Sequence, residues 1–376
     1  MISEHFGTRS DETIISSLTH DPESHPMALG CHPCPQRGVC GGLCIKAPIF
    51  DCLDMCCRSP ANCTRVCRER PNSFVDQVRE INGFELDNVD RAPVIDPKID
   101  ADVVPMIYHG SRRVCTLRHD VFALPLPDLV NFREGRLRFE ERAALCEAFR
   151  LPLDAKIILT GVNLDHRIEP WWKLAERRIP IIRNMHRIGI DLVTTPNFSV
   201  ILDQPRTDDI HAMKRIAILF SEFANGGIAC ALHPNGRTER DFERWAAFIA
   251  DRNEVKTLAY EFITGPGRKV RQPWHLARLA DLARRAERDL TIIVRGNPSV
   301  VAFLRLHYRK VIYIETTAFM KSLKRQRAER AGNNRLRWLS APTSRGENVD
   351  DLFVHNLQER VALLTALHFG SGGMTA

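Results

Sequence analysis

Several features that would classify a chain at once are missing from this one. The first thirty residues are polar, with Asp, Glu and His where a secretory leader needs a basic start and an apolar run. No uninterrupted apolar stretch reaches the ~20 residues of a membrane-crossing helix. The two absences lead to the expectation of a cytoplasmic chain with no membrane partner. No G-x-G-x-x-G follows an apolar run and no G-x-x-x-x-G-K-S/T occurs, so the two commonest nucleotide-binding folds lose their sequence support. No apolar run carries the H-x-H pair of amidohydrolase metal sites. The C-x3-C-x2-C spacing of clusters that bind S-adenosylmethionine is also absent, which disfavours that radical chemistry. Acid is scarce between Arg309 and Arg337: Arg309, Lys310, Lys321, Lys324, Arg325, Arg327, Arg330, Arg335 and Arg337 face only Glu315 and Glu329.

What is present suffices for a folded protein. The 376 residues are 44% apolar and 26% charged with a net charge of +7. That is room for one large α/β domain, commonly ~250 residues as a barrel, plus a small appendage.

The densest signal is cysteine. Nine of the twelve lie between Cys31 and Cys67: Cys31, Cys34, Cys40, Cys44, Cys52, Cys56, Cys57, Cys63 and Cys67. From Cys31 the spacing is C-x2-C-x5-C-x3-C, and x5, x3 recurs from Cys57 through Cys63 to Cys67, so the segment reads as duplicated. Pro35, Gly38, Gly41 and Gly42 allow a short loop to wrap tightly and aim several thiolates inward. Disulfides suit secreted domains and are disfavoured without a leader. Four thiolates at this spacing also make a closed zinc site. The run Cys57–Pro71, CRSPANCTRVCRERP, resembles the loops of ferredoxin-type electron-transfer subunits, with a weaker echo at Cys34–Cys44, and that resemblance implies an iron–sulfur cluster. It departs from the family pattern in placing Arg68 directly after Cys67, with proline only at Pro71. Iron–sulfur is favoured narrowly over zinc. The ligand sets are Cys31, Cys34, Cys40 and Cys44, and Cys52, Cys63 and Cys67 with either Cys56 or Cys57. Cys115, Cys146 and Cys230 are isolated in apolar surroundings and read as ordinary core residues.

Residues 1–30 read as a tail, 31–70 as the cysteine-rich metal module, 71–102 as an irregular linker rich in Pro, Asn and Asp, 103–345 as the main domain, and 346–376 as a C-terminal helix and tail. In the main domain short apolar runs alternate with longer amphipathic ones, the pattern of βα units around a parallel sheet. The expected strands are Val103–Tyr108, Lys156–Thr160, Asp191–Thr194, Ile228–Leu232, Thr257–Tyr260, Thr291–Val294 and Val311–Ile314, with Leu336–Leu339 as an eighth. Glu239 to Ala250 is expected as a helix, with Phe242, Trp245, Ala246 and Ile249 on one face. The fold class is therefore α/β, a TIM-barrel-like parallel (β/α) domain behind a cysteine-rich module; a doubly wound open sheet is the alternative.

Most strands end in small polar turn residues, and a parallel barrel gathers all strand ends at one rim. Such residues also simply make βα turns, the plainer account of Asn163, Asn235 and Thr316. Glu261, Arg295, His233 and Glu315 are harder to dismiss, since a charge directly after an apolar strand needs a partner or a use. Asp165, His233, Glu261, Arg295 and Glu315 are the candidate catalytic residues, with Asn197 at the edge of the same pocket. Two acids beside Arg295 would leave surplus negative charge and one carboxylate with a raised pKa. Lys321, Lys324, Arg325 and Arg327 are candidate phosphate contacts on a helix expected over Lys321–Arg330, a solvated face being the plainer alternative.

Residues Asp191 to Gly296 also resemble a bacterial and phage domain of unknown function, through T-P-N-F-S at Thr195–Ser199, the segment His211–Leu219, E-F-x-T-G at Glu261–Gly265 and V-R-G at Val294–Gly296. The family implies no activity; it implies that the rim motifs belong together. Base-exchanging transglycosylases, which also use carboxylates on a barrel, offer a fold-level analogy, without their zinc spacing or glycine-rich motifs. The expected functions are an enzyme acting on a nucleic acid or nucleotide, a non-catalytic nucleic-acid-binding protein, or a redox protein passing electrons to a substrate on the barrel.

Metal tests the cysteine reading first. Anaerobically purified protein is expected to hold iron or zinc in at least stoichiometric amount by elemental analysis, with a visible absorption that bleaches on reduction if iron is present. Protein free of both metals overturns the ligand sets.

Overall fold

A computed structural model describes residue 32 and residues 77–109, 113–200, 206–332, 334–344 and 347–370. All nine clustered cysteines, and with them the expected metal module, lie outside the described residues.

Among the described residues, eight parallel strands form one sheet: β1 (Val103–Pro105), β2 (Val121–Pro125), β3 (Lys156–Thr160), β4 (Leu192–Thr194), β5 (Ala229–Leu232), β6 (Thr257–Phe262), β7 (Thr291–Gly296) and β8 (Lys310–Glu315). Each pairs with its neighbours in sequence, and β8 returns to pair with β1. The seam between β1 and β2 is joined by a single bridge, Met106 to Ala123, where the Ile107 amide donates to the Ala123 carbonyl at 2.9 Å. The sheet is a nearly closed barrel, not an open doubly wound one.

Alternation along each strand sorts the core into two layers. Val104, Met106, Ala123, Ile158, Leu192, Ala231, Ala259, Ile293, Ile312 and Ile314 fill the barrel interior. The residues between them, such as Phe122, Ile157, Val193, Leu258, Ile292 and Tyr313, meet the helices outside. Helix α5 (Glu239–Asp251) follows the expected pattern: Thr238 and Asp241 form a reciprocal capping box, and Phe242, Trp245, Ala246 and Ile249 are buried. Its companions are α1 (Arg142–Phe149), α2 (Asp165–Lys173), α3 (Arg178–Arg187), α4 (Arg206–Asn225), α6 (Gln272–Arg285), α7 (Val300–Leu304), α8 (Thr317–Leu323) and α9 (Asp350–Leu364).

Three expectations need correction. The eighth barrel strand is Val121–Pro125, whose two nearby prolines, Pro125 and Pro127, disguise it as a loop. Leu336–Leu339 belongs instead to β10 (Arg335–Ser340), which pairs antiparallel with β9 (Gln326–Ala331) in a separate ribbon. Its alternation with Arg335 and Arg337 is that of a half-exposed strand, whereas barrel strands read as continuous apolar runs. The helix expected over Lys321–Arg330 stops at Leu323: Lys324 caps it, Arg325 turns to a φ of +53°, and the chain continues as β9. Cross-strand pairing there overrides the helix propensity of Lys, Arg, Gln and Ala.

The segment before β1 has little regular structure but is far from loose. It begins beside the first turn of α4, where Gln77 Nε2 donates to Asp208 Oδ1 at 3.2 Å, and passes down the flank of α4 and α5. Phe84 is buried, and cations from the helices reach its backbone: Lys214 to the Glu85 carbonyl, Arg244 to the Phe84 carbonyl, and Arg252 to those of Val89 and, at 3.1 Å, Asp90. Ile99 then enters the interior cluster at the N-terminal end of the barrel. The segment is a strap from one end of the barrel to the other.

Arg252 is only 1% exposed and answers carbonyls that have no strand to pair with. Arg252→Met leaves those acceptors unmet, and urea unfolding is expected to show a loss of about 2–4 kcal/mol, larger than for an exposed arginine such as Arg284→Met.

Candidate functional site at the barrel mouth

The same alternation decides which rim residues meet. Thr160 continues the inward series from Ile158, Thr194 that from Leu192, Glu261 that from Ala259 and Arg295 that from Ile293. These four form the uppermost interior layer with Met106 and Ile314. Glu261 and Arg295 are direct cross-strand partners on β6 and β7. Arg295 Nε lies 2.5 Å from Glu261 Oε1 and its Nη2 3.2 Å from Oε2, while Nη1 lies 3.7 Å from Met106 Sδ. A cavity of about 10 Å³, room for one water, sits among Thr160, Thr194, Ala259, Glu261, Ile293, Arg295 and Ile314. The Thr160 hydroxyl lining it is buried and lacks a hydrogen-bond partner among the described residues. Gly296 ends β7 at a φ of +110°, where a Cβ would lie 2.4 Å from the Phe262 carbonyl carbon, so only glycine lets the chain turn immediately above Arg295.

Burial pushes the Glu261 carboxyl above its ordinary value, and the Arg295 guanidinium opposes that without cancelling it. Tyr108, just beyond β1, has its phenol raised by burial and feels both Arg295 and Glu261; its ring packs 5.3 Å from that of Phe319. His233 follows β5 with its ring stacked 5.4 Å from Tyr260 and, among the described residues, no hydrogen-bond partner for either ring nitrogen. Burial, then the charge of Arg295, pulls it down to about 3, so at neutral pH it is an uncharged imidazole. Tyr260 in turn shares a 2.7 Å hydrogen bond with His275 Nδ1. The arrangement offers a carboxyl able to gain or lose a proton nearer neutrality than most, a fixed cation, and unmatched polar atoms beside them.

Glu315 does not join this group. It is on the outward series with Tyr313, accepts the Thr317 and Ala318 amides at 2.9 Å each at the start of α8, and lies 3.2 Å from Arg360. The expected surplus of negative charge beside Arg295 is therefore corrected to one acid on one base. Asp165 and Asn197 brace neighbouring loops: Asp165 Oδ1 accepts the Ser199 hydroxyl at 2.9 Å, and Asn197 Oδ1 accepts from Asn235 Nδ2 at 2.8 Å. Lys321 donates to Gln326 Oε1 at 2.9 Å and lies over the Trp338 ring, Arg325 donates to Thr343 at 2.5 Å, and Arg327 meets His355 at 3.2 Å. Lys324 caps α8. None of these four lies in the barrel interior.

Sequence reading missed Tyr108 by absorbing it into the first strand; its position one residue past a buried apolar run was the available signal. The Asp128–Arg167 ion pair at 2.7 Å on the same rim carried none. Among the described residues no group of His, Cys, Asp or Glu is arranged to hold a metal.

No protein-family model and no curated protein matches the chain. Among solved structures, a chain of the Amycolatopsis orientalis BexX/CysO complex aligns over 76% of this chain and 100% of its own, at 14% identity and a TM-score of 0.37.

Arg295→Met removes what holds the Glu261 carboxyl down, so its folded pKa climbs further above the unfolded one. Stability from such a group is full below the unfolded value and lost as pH rises through the folded one. The variant should be about 3–5 kcal/mol less stable than wild type at mildly alkaline pH, and much less so in mild acid. Adding Glu261→Gln should recover most of the loss; a deficit independent of pH contradicts the coupling.

Proposed function

We propose that the barrel is an enzyme acting at its C-terminal mouth on a nucleotide or nucleic acid, with Glu261 as the acid–base group and Arg295 as the anchor for an anionic oxygen. The observation that carries this reading is the Glu261–Arg295 pair itself, placed on the inward series at the top of the barrel. A buried ion pair is a poor stabiliser compared with apolar residues of similar size, and the layers beneath are filled by Val, Ile, Leu and Ala. The C-terminal end of a parallel barrel is where loops from every strand surround a ligand. A carboxyl raised by burial suits proton transfer near neutral pH. Thr160 and neutral His233 supply unmatched polar atoms for a ligand, and Tyr108 stands at the lip. We take the cysteine-rich segment to hold an iron–sulfur cluster or zinc; the strap that follows it starts at the mouth end, beside the first turn of α4.

The second reading, a non-catalytic nucleic-acid-binding protein, is favoured by the basic ribbon of β9 and β10. Holo protein incubated with nucleosides, nucleotides and short oligonucleotides, with base release or exchange followed by mass spectrometry, separates the two. Glu261→Gln is expected to lower turnover at least ~100-fold while leaving ligand affinity within a factor of about two. Arg295→Met is expected to weaken phosphate-bearing ligands. The acid limb of the wild-type pH profile should lie above the ordinary carboxylate value of 4.5. Turnover retained in Glu261→Gln, or binding without any turnover, overturns the enzymatic reading.

A further inference from the structure

The ribbon is an insertion between α8 and α9 that the chemistry of the mouth does not require. Six facing pairs run from Gln326 with Ser340 to Ala331 with Arg335. One side rests on α9: Ala328 is fully buried, its amide donates to Asn356 Oδ1 at 2.7 Å, and Arg330 pairs with Glu359 at 2.7 Å. Alternation turns Arg327, Glu329, Arg335, Arg337 and Leu339 to the other side, where all five are exposed, although the Arg327 guanidinium reaches back to His355 of α9 at 3.2 Å. On that side three cations stand against one acid, Glu329, the cross-strand neighbour of Arg337. Charged residues do keep exposed strand edges from pairing with other chains, but either sign serves that purpose and solvated surfaces mix the two. A one-sided charge is what a polyanion selects.

We propose that the outward side of the β9–β10 ribbon is a docking surface for duplex DNA, entering its major groove. Six residues of strand span ~20 Å, and two paired strands with their side chains match a groove ~12 Å wide. The deep, narrow major groove of duplex RNA does not admit such a ribbon. Arg335 and Arg337 make no side-chain hydrogen bond or ion pair among the described residues, so both are available to phosphates and base edges. The ribbon is tied to the mouth through α8, which begins two residues after Glu315 and whose Phe319 packs on Tyr108 at the lip. The proposal deepens the reading of the mouth, on which its link to catalysis rests, by naming duplex DNA as the macromolecular substrate.

The test is fluorescence anisotropy of the full holo protein across a salt series, with labelled duplex DNA, duplex RNA and single strands, beside co-sedimentation with phosphatidylserine-containing vesicles. Wild type should bind duplex DNA most tightly. Arg335→Glu with Arg337→Glu should bind it at least ~10-fold more weakly and flatten the log–log salt slope by about two, with the melting temperature unchanged. Equal binding by the double variant, absence of binding at low salt, or preference for duplex RNA or vesicles overturns the proposal. Glu261→Gln run in parallel separates the two readings. If it keeps turnover while duplex DNA binding depends on the ribbon, the mouth reading fails alone; if nucleotide turnover depends on Glu261 but duplex binding ignores the ribbon, the docking surface fails alone.

Discussion

Closing eight parallel strands around one axis forces every second side chain into a narrow interior, and most of this protein follows from that restriction. Ala123, Ala231 and Ala259 share the interior with Val104, Ile158, Leu192, Ile293 and Ile312 because the space admits only a few branched groups at each level. A charged pair at the top level is tolerated because both members arrive together: Glu261 and Arg295 are in register on neighbouring strands, so each meets its partner without bending the backbone. The same restriction separates Glu315 from them. It is one residue past the inward Ile314, and that offset sends its carboxylate to the amides of α8 and to Arg360.

Outside the barrel the recurring problem is backbone that no sheet partner satisfies. The strap carries carbonyls that regular structure would have paired, and Lys214, Arg244 and Arg252 meet them from the faces of α4 and α5. Arg288 does the same for the carbonyls of Ile249, Arg252 and Val255, at 2.6, 2.7 and 3.1 Å. Long cations suit this task because the stem crosses an apolar surface while the head supplies several donors at once. Part of the excess of positive charge is thus structural, which sharpens the contrast with the ribbon, where Arg335 and Arg337 make no side-chain hydrogen bond or ion pair among the described residues.

The mouth and the ribbon stand in different relations to the fold. Glu261 and Arg295 each stand on a strand paired on both sides, which keeps the carboxyl and its counter-charge in fixed geometry. The ribbon is anchored along one side, through Ala328, Arg330 and Asn356, and presents the other to solvent. The interior pair and the exposed ribbon are kept apart, joined by α8 and the contact of Phe319 with Tyr108.

Seven of the eight barrel strands, helix α5 and the convergence of strand ends on one rim were legible in the sequence, because continuous apolar runs and helical periodicity are local properties of burial. Residue parity was legible as well, since Ala259 and Ile293 stand two places before Glu261 and Arg295, but using it required knowing that Glu315 has the opposite offset from Ile314. Val121–Pro125 was hidden by prolines that an edge or seam position accepts and an isolated reading does not. Lys321–Arg330 was misread because Lys, Arg, Gln and Ala favour helix in isolation. Only the second strand at Arg335–Ser340, and the burial of Ala328 against α9, turn that stretch into a ribbon. The sequence by itself determined which runs would be buried. The tertiary structure decided which strand ends face one another, because the sign of each alternation and the partner across each gap are set by closure of the barrel and not by any local segment.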